Sequence, residues 1–230
     1  MLNIRLLVRT ARKLSRGGFT LVELLVVIGI IAILAGVALG PITNGIRQAK
    51  HNAAMQQGRQ IGQVEFSYAT DNTANGNAYP AASSAESIAN NLITASYVSD
   101  PSVFCVSGAN GGQVVAKASG TTITLASNNI TWNFTVLSTN TTGGITSSAS
   151  DLIPLVYFSG QTVTYPVPTG GASLALSLTA SPFGQDGIAV FYKGNNAAYL
   201  KAGTGGTPGT VVGFISVNCT DTTSYTTAVP

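Results

Sequence analysis

The polar and apolar positions of this 230-residue chain fall into two regimes. From Leu24 to Leu39 the run LLVVIGIIAILAGVAL holds sixteen residues without a polar side chain, and Phe19–Val22 and Pro41-Ile42 extend it to about twenty-four with one acid, Glu23. At ~1.5 Å per residue, such a helix crosses a ~30 Å hydrocarbon layer. Apolar positions continue at Ile42, Ile46, Ala49, Ala53, Ile61, Val64 and Tyr68, with Gln57 filling the one long gap. The spacing predicts a single helix from about Phe19 to about Thr70, on the order of 75 Å long. The turn formers from Asp71 to Asn77 end it, and Tyr79-Pro80 opens an extended link. Ser83-Ser84-Ala85-Glu86 fits a capping box with Ser83 as cap, starting a short helix to about Ala95 whose inner face is Ile88 and Leu92.

Beyond residue 110 the period becomes strand-like. Val114–Ala118, Thr121–Ala126, Ile130–Leu137, Leu152–Phe158, Leu174–Ala180, Gly187–Tyr192, Ala198–Lys201 and Val211–Val217 are short β-branched or aromatic segments between Gly, Pro, Asn and Ser. Lys193-Gly194-Asn195-Asn196 reads as a hairpin tip, and Ser138–Ser150 as an exposed Ser/Thr-rich loop. The expected fold class is α+β: a long N-terminal helix, membrane-spanning in its first half, packed on a C-terminal antiparallel sheet.

Charge changes the picture once it is divided along the chain. Arg5, Arg9, Arg12, Lys13 and Arg16 supply five of the eleven basic residues, and no acid precedes Phe19. The remainder carries six bases against eight acids, so it offers no basic stripe and no nucleic-acid partner is indicated. The basic flank places the N-terminus in the cytoplasm and the body outside. A secretory signal peptide is the alternative, opposed by Glu23 at the head of the apolar block and by Pro41 just after the small-residue site.

Enzyme motifs fail in turn, and the expectation is that the chain is not an enzyme. His51, the sole histidine, is expected to be a solvated residue just outside the membrane. Gly203-Thr204-Gly205-Gly206 lacks the Lys-Ser/Thr of a phosphate cradle, and Asp71, Asp100, Asp151, Asp186 and Asp221 are scattered. Cys105 and Cys219 both fall outside the membrane, where a disulfide closing a ~115-residue loop would add up to ~5 kcal/mol; two buried thiols are the alternative. Asn129, Asn133, Asn140 and Asn218 match the glycosylation acceptor pattern, which arises readily by chance in so Asn- and Thr-rich a chain.

Arg16-Gly17-Gly18-Phe19-Thr20-Leu21-Val22-Glu23-Leu24-Leu25, followed by an apolar run, resembles the N-terminal signature of type IV pilins and type II secretion pseudopilins. The resemblance implies a leader over residues 1–18, a transmembrane and filament-core helix over 19–42, its continuation over 43–70, and a β-rich globular domain over 71–230. It implies cleavage between Gly18 and Phe19 by a prepilin peptidase, and methylation of the new Phe19 amine. Partners would be the membrane before assembly, the pilus or secretion assembly machinery, and further copies in a homo-oligomeric helical filament. The precursor would sit in the inner membrane and the product in an extracellular pilus or a periplasm-spanning pseudopilus.

An acid in a bilayer costs ~2–3 kcal/mol or more unless neutral or paired. Glu23 either neutralises its own chain's amine one turn away or meets that of a neighbouring subunit and sets register. Ala32, Gly36 and Gly40 form a small-residue face for close helix approach, and Gly40-Pro41 is expected to break the hydrogen-bond ladder locally. The stretch from Tyr68 to Pro80 resembles the helix exit of bacterial pilin-like proteins, and that from Asp186 to Tyr192 with Tyr199-Leu200 is similar to a C-terminal hairpin in some bacterial pseudopilins. Some of these bind calcium near the C-terminus, but only Asp186 and Asp221 offer obvious ligands here, so no cofactor is expected and calcium stays an open option. The leader and helix do not separate a pilus subunit from a pseudopilin. A membrane-anchored periplasmic or surface binding domain is the rival from another class.

Overall fold

The computed structural model describes residues 18–106, 123–138, 144–158, 176–178, 186–203, 209–211, 213–215 and 225–230. The chain divides into two compact units, Met1–Arg47 and Gln48–Pro230. In the first, the described residues are the segment from Gly18 to Thr20 and the start of a helix, α1, whose bounds are Leu21–Asp71. The helix runs on through Gly40-Pro41. Proline removes only its own N–H from the ladder, and the Thr43 hydroxyl donates to the Gly40 carbonyl at 2.9 Å.

The second unit holds the α+β architecture. α1 ends at Asp71, its last amide bonds are followed by a 3-10 turn over Thr73–Asn75, and Gly76 takes the left-handed conformation. The short helix α2 spans Ala85–Thr94. Its cap is Ser84, one residue beyond the Ser83 predicted: the Ser84 hydroxyl accepts from the Ser87 amide, and Ala85 N–H is taken up by the carbonyl of Val229. Ile88 and Leu92 are buried as expected.

The strands are β1 (Trp132–Leu137), β2 (Pro154–Phe158), β3 (Leu176–Ser177), β4 (Gly187–Tyr192), β5 (Asn196–Lys201), β6 (Thr210–Val211) and β7 (Tyr225–Ala228). Five form one antiparallel sheet in the order β5-β4-β2-β1-β7, and β3 pairs with β6 in a two-stranded ribbon. The register aligns Phe134 with Val156 on one side and Ala228 on the other, and Val156 with Phe191. The expected strand over Val114–Ala118 lies outside the described residues, whereas residues 123–126 of Thr121–Ala126 are not a strand. There Asn90 of α2 holds the chain, bonding both the amide and the carbonyl of Leu125. The C-terminal strand β7 carries no strong apolar alternation and was not anticipated from the pattern.

Both sheet faces are covered, which explains why β1, β2 and β4 are buried along nearly their whole length. Residues 48–71 of α1 lie on the face that carries Trp132, Phe158 and Phe191. On the other, Phe214 packs edge-to-face on Tyr157 at 5.0 Å between ring centroids and its carbonyl accepts from the Tyr192 hydroxyl at 2.9 Å.

The helix face that meets the sheet is displaced from the one periodicity predicts. Ala54, Gly58, Ile61, Gly62, Glu65 and Ala69 are buried, while Ala53 is exposed and Val64 and Tyr68 are half-buried. Except for Ile61, each buried position is one residue past the expected stripe, a rotation of about 100°. Small residues win that face because the sheet presents large rings: a Cβ at Gly58 would lie 3.0 Å from Cη2 of Trp132.

Candidate functional site

The first turn of α1 is built around Thr20 and Glu23. Thr20 donates its backbone N–H and its hydroxyl to Glu23 Oε2, at 2.9 and 2.8 Å, and the Glu23 N–H returns a bond to Thr20 Oγ1 at 3.2 Å. This is a reciprocal capping box, with the carboxylate at the positive end of the helix. The Thr-x-x-Glu spacing is its sequence signal, directly after the Gly18-Phe19 junction. The carboxylate therefore has donors in its own chain before any second subunit arrives.

From this turn onward the large apolar side chains are exposed, from Phe19 and Leu21, each 79% accessible, through Ile42 and Ile46. A Cβ added at Gly36 or Gly40 would meet nothing within 4 Å, so with Ala32 they leave an open strip of low relief. The helix is long and apolar enough to cross a membrane. Stably exposing this much apolar surface to water is unfavourable at roughly 25 cal/mol per Å², so lipid or other helices must cover it.

The second unit holds the remaining candidates. His51 is not freely solvated as expected: it is half-buried, stacked on Tyr199 at 3.9 Å between ring centroids, with Nε2 3.0 Å from the Tyr199 hydroxyl. Cys105 is a buried free thiol whose pKa desolvation pushes up, and Cys219 lies outside the described residues. Asn133 is fully buried in β1, which removes it as a glycan acceptor; Asn129 accepts from the Ala126 amide, and Asn140 and Asn218 lie outside the described residues. Among the described residues no three His, Cys, Asp or Glu side chains gather as metal ligands, and Asp221, named for calcium, is not among them.

The acid that periodicity overlooked is Glu65. It is 3% exposed, Oε2 has no hydrogen-bond partner, and burial pushes its carboxyl well above the ordinary range. Tyr79 nearby is raised to about 12, chiefly by burial and further by the charges of Glu65 and Asp151.

Residues 13–39 match the family described as the prokaryotic N-terminal methylation motif. No curated protein and no solved structure matches the chain. The matched segment holds the Gly18-Phe19 junction, the Thr20–Glu23 box and the apolar run to Leu39, so the chain carries the prepilin signature of type IV pilins and pseudopilins. That signature belongs to structural subunits of the pilin-like class, which a prepilin peptidase processes and which begin as membrane-anchored precursors.

Proposed function

We propose that the chain is a structural subunit of a type IV pilus-like filament, cut after Gly18 and assembled through residues 19–42. The observation that carries this reading is the exposed apolar helix headed by the Thr20–Glu23 box inside the methylation motif. One surface then serves two states: lipid covers it in the precursor and neighbouring helices cover it in the filament. Close approach occurs along Ala32, Gly36 and Gly40, where a partner backbone meets little relief. Glu23, already oriented by Thr20, meets the Phe19 amine of a neighbour, which fixes axial register and relieves the cost of an acid in an apolar layer.

The low charge and the Ser/Thr-rich segment over residues 138–150 favour an extracellular pilus over a pseudopilus of type II secretion. Intact mass and N-terminal sequencing of protein from a sheared extracellular fraction test the reading. A methylated chain starting at Phe19 in long fibres supports it. A chain starting at Met1, recovered only as monomer, replaces it with the anchored binding domain, and a processed chain retained in the envelope replaces it with the pseudopilin.

A further inference from the structure

The second unit contains a cavity of about 260 Å³ lined by Gly62, Gln63, Phe66, Ser67, Tyr79, Phe191, Lys193 and Asn195. It lies where α1 passes the tip of the β4–β5 hairpin. Phe191 forms its floor, 2% exposed and pressed against the helix at Gly62. Phe66 stands at its edge, 60% exposed. A single exposed aromatic ring is ordinary on a protein surface, so it is the company of Phe66 that matters. Among the described residues the side-chain amides of Gln63 and Asn195 and the hydroxyl of Tyr79 make no hydrogen bond to the protein, although all three line the same space. Asn195 is held at the hairpin tip in the left-handed conformation, φ 60°, with its N–H on the Tyr192 carbonyl, so its side chain is carried by a fixed turn.

Charge narrows the ligand class. Among the described residues the one cation in the wall is Lys193, whose side chain is only 8% exposed and whose Nζ lies 2.8 Å from Asp151 Oδ1. An anion would face an ammonium already neutralised. Among the described residues no carboxylate lines the cavity; of the two whose charges reach Tyr79, Asp151 is already paired with Lys193 and burial holds Glu65 towards its neutral form, so a cation finds little counter-charge. A purely apolar ligand would strand three polar side chains against it. What fits is a neutral group with an apolar face for an aromatic ring and several hydroxyls around its edge. The volume, below the ~300 Å³ at which drug-sized pockets begin, admits one ring and not a chain of them.

We propose that this cavity binds a single neutral pyranose ring, its C–H face on Phe66 and its hydroxyls on Gln63, Tyr79 and Asn195. The site goes beyond filament assembly and is independent of it, because every residue belongs to the second unit.

The test is saturation-transfer NMR on the full chain in micelles of a detergent without a sugar head group. The probes are the methyl pyranosides of glucose, galactose, mannose and N-acetylglucosamine, each with inorganic phosphate as competitor. The expected result is transfer to the ring protons of at least one probe, undiminished by phosphate. Phe66→Ala should weaken binding roughly fivefold or more and Phe66→Trp should preserve it. Asn195→Gly is the second variant, which removes the amide without straining the left-handed turn, and should weaken binding while the melting temperature holds. No transfer to any probe, equal transfer from wild type, Phe66→Ala and Asn195→Gly, or displacement by phosphate would overturn the proposal.

Discussion

Gly62 sits so close to Phe191 that a Cβ on the helix would lie 2.0 Å from both Cδ1 and Cε1 of the ring. The absence of a side chain at this helical position is thus a packing requirement of the sheet. Gly62→Ala sets two effects against each other: alanine is favoured in a helix by ~1 kcal/mol, whereas forcing a ring out of a packed core costs ~1–3 kcal/mol. Overlap with the body of a buried ring makes the second effect larger, so a lower melting temperature by circular dichroism is expected. Phe191→Leu, destabilising alone, should recover part of the loss in the double variant. Additive losses would show that the two positions do not clash.

Gly58→Ala is expected to be milder. Its Cβ would lie 3.0 and 3.2 Å from Trp132 Cη2 and Cζ3, distances that a shift of a few tenths of an ångström relieves. A cost below that of Gly62→Ala is the expected order, read from the same melts, and a reversed order would refute this account of the interface.

Glu65 makes stability depend on pH in a defined direction. Its folded pKa is raised from the ordinary 4.5 by desolvation, so the folded state binds the extra proton. Its contribution is then fully present below the ordinary carboxylate range and is lost as pH rises through the folded pKa. Glu65→Gln should match wild type near pH 4, exceed it at pH 8, and flatten the slope between. Urea titrations across that range check this; parallel wild-type and variant curves would exclude Glu65 as the source.

Glu23→Ala should reduce the subunits recovered in sheared filaments by roughly ten- to a hundredfold, the equivalent of one lost charge-assisted bond of ~1.5–3 kcal/mol. Thr20→Ala removes only the hydroxyl half of the capping box and should have a smaller effect. Normal assembly of Glu23→Ala would remove its register role and leave it as a helix cap.

Cys105 is buried and its thiol pKa is raised, so thiolate chemistry is doubly suppressed. In a Cys219→Ser variant, a thiol reagent should modify Cys105 slowly in the native protein and rapidly in denaturant. In the unsubstituted protein, denatured without reductant, at least one reactive thiol is expected, from Cys105; none would show that Cys105 is bridged to Cys219 instead.

Much of this molecule was legible in its sequence, for a local reason. The apolar run, the leader and the Gly18-Phe19 junction are contiguous, so composition and spacing sufficed to predict α1, and the resemblance to the prepilin signature rests on the same adjacent residues. The hairpin tip at Lys193-Gly194-Asn195 and the burial of Ile88 and Leu92 were equally local. What only the tertiary structure decided is which face of α1 is buried. Glycine carries no hydropathy signal and Glu65 carries the wrong one, yet all three positions are buried, and Gly58 and Gly62 are so because Trp132 and Phe191, far away in the chain, need room against the helix. The same holds for His51 on Tyr199, for the closure of the sheet by β7, and for the cavity between Phe66 and Asn195. Each depends on residues brought together by packing, which no periodicity within one segment records.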